Sequence, residues 1–452
     1  MVTTESILDV YRRTHPDSER LYQESLRTFP SGVTHDIRYV SPFPIYVERA
    51  QGSRKWDVDG NEYVDYVMGH GALFLGHTHP EITQAVIDQV GRGTHYGASH
   101  RLEIEWGERV KGLVPSAEEV RFTSSGTEAT LMAVRLARAY TGRDKLLKFD
   151  HHFHGWQDYV VGVRVAESDS PRSPGIPDGT LANTISMPQN DLSLVEERLG
   201  DGDVAAVILE PTGASWGTLP IREEFLTGLR ELTSRHNTVL IFDEVVTGFR
   251  VSPGGVQARY GVTPDVTTLA KILAGGLPGG AVAGKTDILS MLEFRDDAGW
   301  NAGLRVAHPG TFNANPLPAA AGSTMLAAVA TGEHHRHADR LNERLIAELN
   351  RVIDDAGVPG RAYGLASYFH IVLGKEAPRP AGGIEWPEDA GEPARISGSV
   401  TSALKRGMLN HGVDLMGGSG GFTSGVHTEP DIDLTIQAFE ATVREMRTEG
   451  IV

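Results

Sequence analysis

Two nearly uninterrupted apolar runs, Val204-Ala-Ala-Val-Ile-Leu209 and Thr238-Val-Leu-Ile-Phe242, constrain this chain more than any other feature. A strand with one wet face alternates apolar and polar residues. A run that does not alternate, rich in β-branched side chains, suits a parallel strand covered on both faces. The stretch between them, Glu223 to His236, reads as an amphipathic helix, so the three segments form a βαβ unit. From about Gly76 onward helices and short apolar strands keep alternating, which predicts an α/β domain with a doubly wound sheet.

The flanking segments have a different texture. The chain to about Thr28 reads as polar helix, and Pro44 to Tyr66 as short strands around turns. After about Pro316 an Ala-rich helix leads into a long polar one, Glu333 to Ala356. A strand over Ser367 to Leu373 and a last helix from Asp431 follow. Ala166 to Gly179 and Lys375 to Ile396 read as long irregular loops. No internal repeat occurs.

Composition narrows the function. The 452 residues carry 42 Lys+Arg against 59 Asp+Glu, a net charge of −17. That balance argues against nucleic acid or an anionic membrane as the main partner. There is no cysteine, which excludes disulfides, thiolate nucleophiles and Cys-ligated metals. The opening Met-Val-Thr-Thr-Glu-Ser lacks the basic and apolar regions of a signal peptide, and no apolar stretch of ~18 residues occurs. The expected location is the cytoplasm.

Three segments carry chemistry. Ser124-Ser-Gly-Thr-Glu-Ala129 lies between an apolar strand and a strong helix, where exposed N–H groups and small hydroxyls form a cradle for an anion; Ser and Thr there also serve as plain caps. Asp243 ends the second apolar run. Ligands of doubly wound sheets bind beyond the carboxyl ends of strands, and a half-desolvated carboxylate there needs a cationic partner. It also suits a structural ion pair. Lys271 sits among apolar and small residues in Thr267-Thr-Leu-Ala-Lys-Ile-Leu-Ala-Gly-Gly276. Such surroundings favour the neutral amine, a nucleophile able to form a Schiff base, although a surface Lys lying along apolar neighbours reads the same way. Taken together, a phosphate cradle, a carboxylate and an amine are what pyridoxal 5'-phosphate requires: an anchor, a partner for its ring nitrogen and a Lys for its aldehyde.

These segments belong to a longer series. Gly76-His-Thr-His-Pro80, Ser124-Ser-Gly-Thr-Glu-Ala129, Phe153-His-Gly155, Glu210-Pro211, Asp243-Glu-Val-Val-Thr-Gly-Phe-Arg250, Leu269-Ala-Lys-Ile-Leu-Ala-Gly-Gly276 and Gly310-Thr-Phe-Asn-Ala-Asn-Pro316 occur in that order. The series resembles the class III pyridoxal-phosphate aminotransferases, nearest to the glutamate-1-semialdehyde 2,1-aminomutases and related β- and ω-amino-acid aminotransferases. The resemblance implies the type I aminotransferase fold. Residues 76–320 would form a large cofactor-binding domain with a mainly parallel sheet. Segments 1–75 and 321–452 would build a small α+β domain from both termini.

It also assigns roles. Lys271 would bind the cofactor aldehyde and move the substrate proton, and Asp243 would pair with the ring nitrogen. Val245 would pack on one ring face and Phe153 on the other. Ser125, Gly126 and Thr127 would bind the phosphate. Thr311 would reach the phosphate of a neighbouring subunit, making a homodimer the active unit. His154 and Glu210, within the family motifs, complete the expected cofactor set.

The substrate segments depart from the aminomutase pattern. Ser31-Gly-Val-Thr-His-Asp-Ile-Arg38 keeps an Arg for a substrate carboxylate, with His35 at a family Ser position and His70 at that of a pocket Trp. In Gly418-Ser-Gly-Gly-Phe422, Ser419 replaces the acidic residue expected near the substrate amines. An aminomutase must retain a diamino cation while nitrogen changes carbons, and a carboxylate helps hold it. The reading that follows is a transaminase moving an amino group from a β- or ω-amino acid or amine to a keto acid, with the 2,1-aminomutase as the alternative. No metal is expected. The clusters His151-His152-Phe153-His154 and His77-Thr78-His79 read as polar contacts within family motifs, and Gly275-Gly-Leu-Pro-Gly-Gly280 does not follow the strand–helix pattern of a dinucleotide fingerprint.

Overall fold

The computed structural model describes residues 5–161, 174–378, 385–387, 393 and 396–452. It falls into two compact units, one formed by Met1–His79 with Glu333–Val452 and the other by Pro80–Gly332. Most of the loop expected at 166–179, and most of that at 375–396, lie outside the described residues.

The Pro80–Gly332 unit is built on a seven-stranded sheet. Its strand order is Glu119–Thr123, Gly280–Gly284, Val266–Ala270, Val239–Asp243, Val204–Leu209, Lys145–Phe149 and Thr184–Met187. Only Gly280–Gly284 runs antiparallel to its neighbours. Every residue of Val204–Leu209 and Val239–Asp243 is buried, as the unbroken apolar runs require, and the two strands pair in parallel. The helix Glu223–Arg235 between them turns Phe225, Leu226, Leu229 and Leu232 inward. Burying each such side chain contributes about 1.5–3 kcal/mol. The helix Gly126–Thr141 lays Ala129, Met132, Ala133 and Leu136 on the sheet and ends at Gly142, whose φ of +67° is a left-handed C-cap.

The other unit holds a four-stranded sheet, Val47–Gln51, Arg54–Asp57, Glu62–Asp65 and Val413–Asp414, and a three-stranded one, Gly360–Leu365, Tyr368–Leu373 and Gly420–Phe422. Its core is the stripe Leu341, Leu345, Leu349 and Ile353 of the helix Glu333–Ala356, packed with Phe369, Leu404 and Phe439. The N-terminal helix expected to run to Thr28 is two helices, Ile7–Thr14 and Pro16–Ser25. Pro16 explains the break, because its ring disfavours helical geometry in the residue before it. The last helix begins at Glu429 rather than Asp431, because Thr428 caps it and Asp431 completes a capping box.

Candidate cofactor site

The carboxyl ends of the parallel strands in the Pro80–Gly332 unit deliver the site. Leu209 is followed by Glu210, Asp243 is the last residue of its strand, and Ala270 is followed by Lys271. The helix Gly126–Thr141 starts where Glu119–Thr123 stops. This is the end of a doubly wound sheet at which ligands bind.

Asp243 is 4% exposed, and no Arg or Lys pairs with it among the described residues. His154 donates its Nδ1–H to Oδ2 at 2.7 Å. Oδ1 accepts from the Thr268 hydroxyl and the Val245 N–H, each at 3.1 Å. Burial pushes the His154 pKa down, against the pull of Asp243, and favours the neutral ring. The carboxylate is therefore oriented by dipoles and left to meet a cation from outside the protein. A protonated ring nitrogen meets that need.

Lys271 follows its strand with φ +52°, a left-handed conformation that costs a side-chain-bearing residue energy. Burial lowers its pKa, while Asp243 and Glu210 oppose the shift and Arg250 adds to it. The amine is thereby shifted toward its nucleophilic form.

Two glycines fix how closely the walls approach. A Cβ on Gly126 would stand 2.9 Å from Val245 Cγ1, so the helix start lies against Val245. A Cβ on Gly155, where φ is +90°, would stand 2.5 Å from Thr127 Oγ1, so the Phe153–Gly155 loop lies against the same helix start. Ser125 caps this helix, its Oγ accepting from Glu128 N at 3.2 Å. The N–H groups of the first turn have no intrahelical partner and face an anion's natural position. The Phe153 ring is 62% exposed, open to stack on a planar ligand. These residues fit pyridoxal phosphate: anchor, carboxylate without a resident cation, and activated amine.

The His-rich segment is polar scaffolding. His152 Nδ1 accepts from Glu210 N at 2.9 Å, and its Nε2–H donates to Gln189 at 2.9 Å. His77 bonds Asp65 at 2.7 Å. Among the described residues no three His, Asp or Glu side chains come together as a metal site.

Three of the four expected substrate residues meet in the unit formed by both termini. The His35 and His70 rings lie 5.1 Å apart. Arg38 and His70 line a cavity of about 490 Å³ with apolar walls that include Phe29, Val33, Ile37 and Val67. The Arg38 guanidinium bonds Thr34 Oγ1 at 3.0 Å and has no acidic partner among the described residues. Ser419 is not part of that lining; it is half-buried, and its carbonyl accepts from Ile371 N at 2.7 Å. Thr311 is exposed.

The family profile for aminotransferase class-III matches residues 37–365. The chain is a class III aminotransferase. It is 39% identical over 440 residues to the glutamate-1-semialdehyde 2,1-aminomutase of Methanopyrus kandleri, covering 95% of this chain and 98% of that one. It is 37% identical over 435 residues to the enzyme of the same name from Sulfurisphaera tokodaii, covering 95% and 100%. Among solved structures it resembles an omega-transaminase from Sphaerobacter thermophilus, with a TM-score of 0.86, 32% identity and coverage of 97% and 100%. The class III aminotransferase is thus a pyridoxal-phosphate enzyme with the type I fold.

Two features of this aminotransferase site escape the sequence motifs. Thr268 reaches Asp243 because the two residues are directly opposite in parallel strands, and only strand register would have shown it. Ser215 and Trp216 have φ of +51° and +50°, and their N–H groups bond Glu210 at 2.9 and 2.7 Å. Nothing in Gly213-Ala-Ser-Trp-Gly217 signals two consecutive left-handed residues other than glycine.

Proposed function

We propose that this class III aminotransferase transfers an amino group between two molecules, from a β- or ω-amino acid or amine to a keto acid. The observation that carries the reading is the segment Gly418–Phe422. It offers only the Ser419 hydroxyl and the Phe422 ring as side chains. No carboxylate stands there to hold a diamino cation, so release of a keto product competes well with its retention. The aminomutase reading rests on the names of the curated relatives, at 39% and 37% identity.

Bound pyridoxal phosphate, held by Lys271, Asp243 and the Ser125–Thr127 cradle, would supply an electrophilic aldehyde and a ring able to accept electrons from a carbanion. The residues do the rest. Asp243, oriented by His154, Thr268 and Val245, holds the ring nitrogen protonated. The Lys271 amine, its basicity lowered by burial, takes the proton from the donor's carbon and returns it. Ser125, Gly126 and Thr127 anchor the phosphate, while Phe153 and Val245 pack against the ring. Arg38 pairs with the substrate carboxylate, and His35 and His70 flank it. The active unit is a homodimer in which Thr311 serves the neighbouring subunit, acting in the cytoplasm. Among the described residues no helix is long and apolar enough to cross a membrane.

Mass balance decides between the readings. Purified protein loaded with cofactor is mixed with single equivalents of α-, β- and ω-amino acids, and the released carbonyl compound is assayed. Stoichiometric release of a keto product supports transamination. If only glutamate-1-semialdehyde or its diamino form reacts, and nitrogen returns to the same molecule, the aminomutase reading replaces it.

A further inference from the structure

Glu210 does more in this structure than border the site. Its carboxylate is 5% exposed and receives three backbone N–H groups from two loops far apart in sequence. Oε1 accepts from Phe153 at 2.8 Å and from Ser215 at 2.9 Å. Oε2 accepts from Trp216 at 2.7 Å. One loop carries the exposed Phe153 ring. The other is the turn in which Ser215 and Trp216 both adopt left-handed backbone, a conformation an L-residue holds only when its surroundings over-determine it. A buried carboxylate with backbone donors on both oxygens provides that determination, since charge-assisted bonds are about twice as strong as neutral ones. The carboxylate is in turn fixed from its own backbone, where Glu210 N donates to His152 Nδ1.

We propose that Glu210 is a positioning residue that ties the Phe153 loop to the Ser215–Trp216 turn, so that one wall of the cofactor site and this turn order as a single unit. The inference rests on the placement of the cofactor between Asp243, Phe153 and Lys271. A side chain serving only as a local cap would protect one loop, not both. The Glu210 carboxyl is pushed up to about 7 by burial and by Asp243, against the backbone N–H groups, so its charge is responsive near neutrality. The titratable groups facing it are Asp243, Lys271 and His152.

The test is amide hydrogen exchange on the full-length chain, with and without pyridoxal phosphate, in wild type and Glu210→Gln. Gln keeps the shape but removes the charge from all three bonds, and its NH₂ group replaces either Oε2, the acceptor for Trp216, or Oε1, the acceptor shared by Phe153 and Ser215. The expected result is faster exchange at Phe153, Ser215 and Trp216 together, with unchanged exchange in the buried strand Val204–Leu209. The pyridoxal phosphate dissociation constant should rise by about tenfold. A second measurement needs no variant. In wild type, exchange at the same three amides, corrected for its intrinsic pH dependence, should be faster at pH 5.5 than at pH 8.5, because burial and Asp243 push the Glu210 carboxyl up and favour its protonation in acid. Exchange that changes in only one loop, or in neither, overturns the coupling. If the loops loosen together but pyridoxal phosphate binds Glu210→Gln as tightly as wild type, the tie does not serve the cofactor wall and the proposal fails. If wild type itself does not bind pyridoxal phosphate through Lys271, the cofactor placement fails instead, and the exchange results still report on the tie.

Discussion

His154 donates its Nδ1–H to Asp243 across 2.7 Å, with side-chain exposures of 0% and 4%. The pair is ionic in appearance, yet burial favours the neutral imidazole. The Asp243 carboxylate is thus oriented in a buried site by hydrogen-bond donors rather than by a paired cation.

Asp243→Asn should therefore separate geometry from charge. Asn keeps an acceptor for Thr268 and Val245, but it cannot stabilise a protonated ring nitrogen. Removing a preorganised electrostatic partner costs on the order of 10²–10³-fold in kcat. We expect a loss of that size in single-turnover rate, with the phosphate anchor still retaining the cofactor. A variant within threefold of wild type would refute the role given to Asp243.

Gly155→Ala places a methyl group 2.5 Å from Thr127 Oγ1 and forces φ of +90° on an L-residue. The Phe153 loop and the helix start must then separate. Left-handed strain and overpacking each cost about 1–3 kcal/mol. The expected outcome is a lower melting temperature and a weaker pyridoxal phosphate affinity, the latter read by fluorescence titration. Retention of wild-type affinity would show that the two walls need not touch.

Lys271→Ala should abolish turnover while leaving the fold intact, because the Lys271 backbone needs no particular side chain to follow its strand. Absorbance spectra of the loaded variant should lack the Schiff-base band, and added alkylamines should restore only slow conversion. Turnover near the wild-type rate would remove Lys271 from its role.

The sequence carried the parallel sheet and the placement of Lys271 and Asp243 at its carboxyl edge for a physical reason. Buried strands such as Val204–Leu209 must be apolar throughout, and their carboxyl ends are where a ligand meets the sheet. Lys271 and Asp243 therefore stood at the ends of recognisable runs. Thr268 did not, because its bond to Asp243 depends on register between strands. The Ser215–Trp216 turn was illegible because residues other than glycine adopt it there, held by N–H groups that donate to a side chain preceding them. The break at His15 was readable in principle from Pro16, but the helical pattern on both sides concealed it.

Lys55 offers the clearest pH test in the unit formed by both termini. Its buried ammonium pairs with Asp65 at 2.8 Å and also with Asp414. These pairings outweigh desolvation and hold both carboxyls below the usual range. A depressed native carboxyl contributes stability above its unfolded pKa of about 3.9, and that stability is lost as pH falls through the native value. The contribution of this cluster in wild type should accordingly be lost only in strong acid. Lys55→Met leaves two carboxylates buried beside each other, with Lys405 to serve Asp414 and His77 to serve Asp65. Breaking a buried pair costs about 3–5 kcal/mol. In the variant, burial and mutual repulsion would raise both carboxyl pKa values, so protonation relieves it. The difference in unfolding free energy between wild type and Lys55→Met, measured by denaturant titration, should be largest near pH 7 and narrow as pH falls toward 4. A difference that stays constant across that range would show that the penalty comes from packing and not from the unpaired charge.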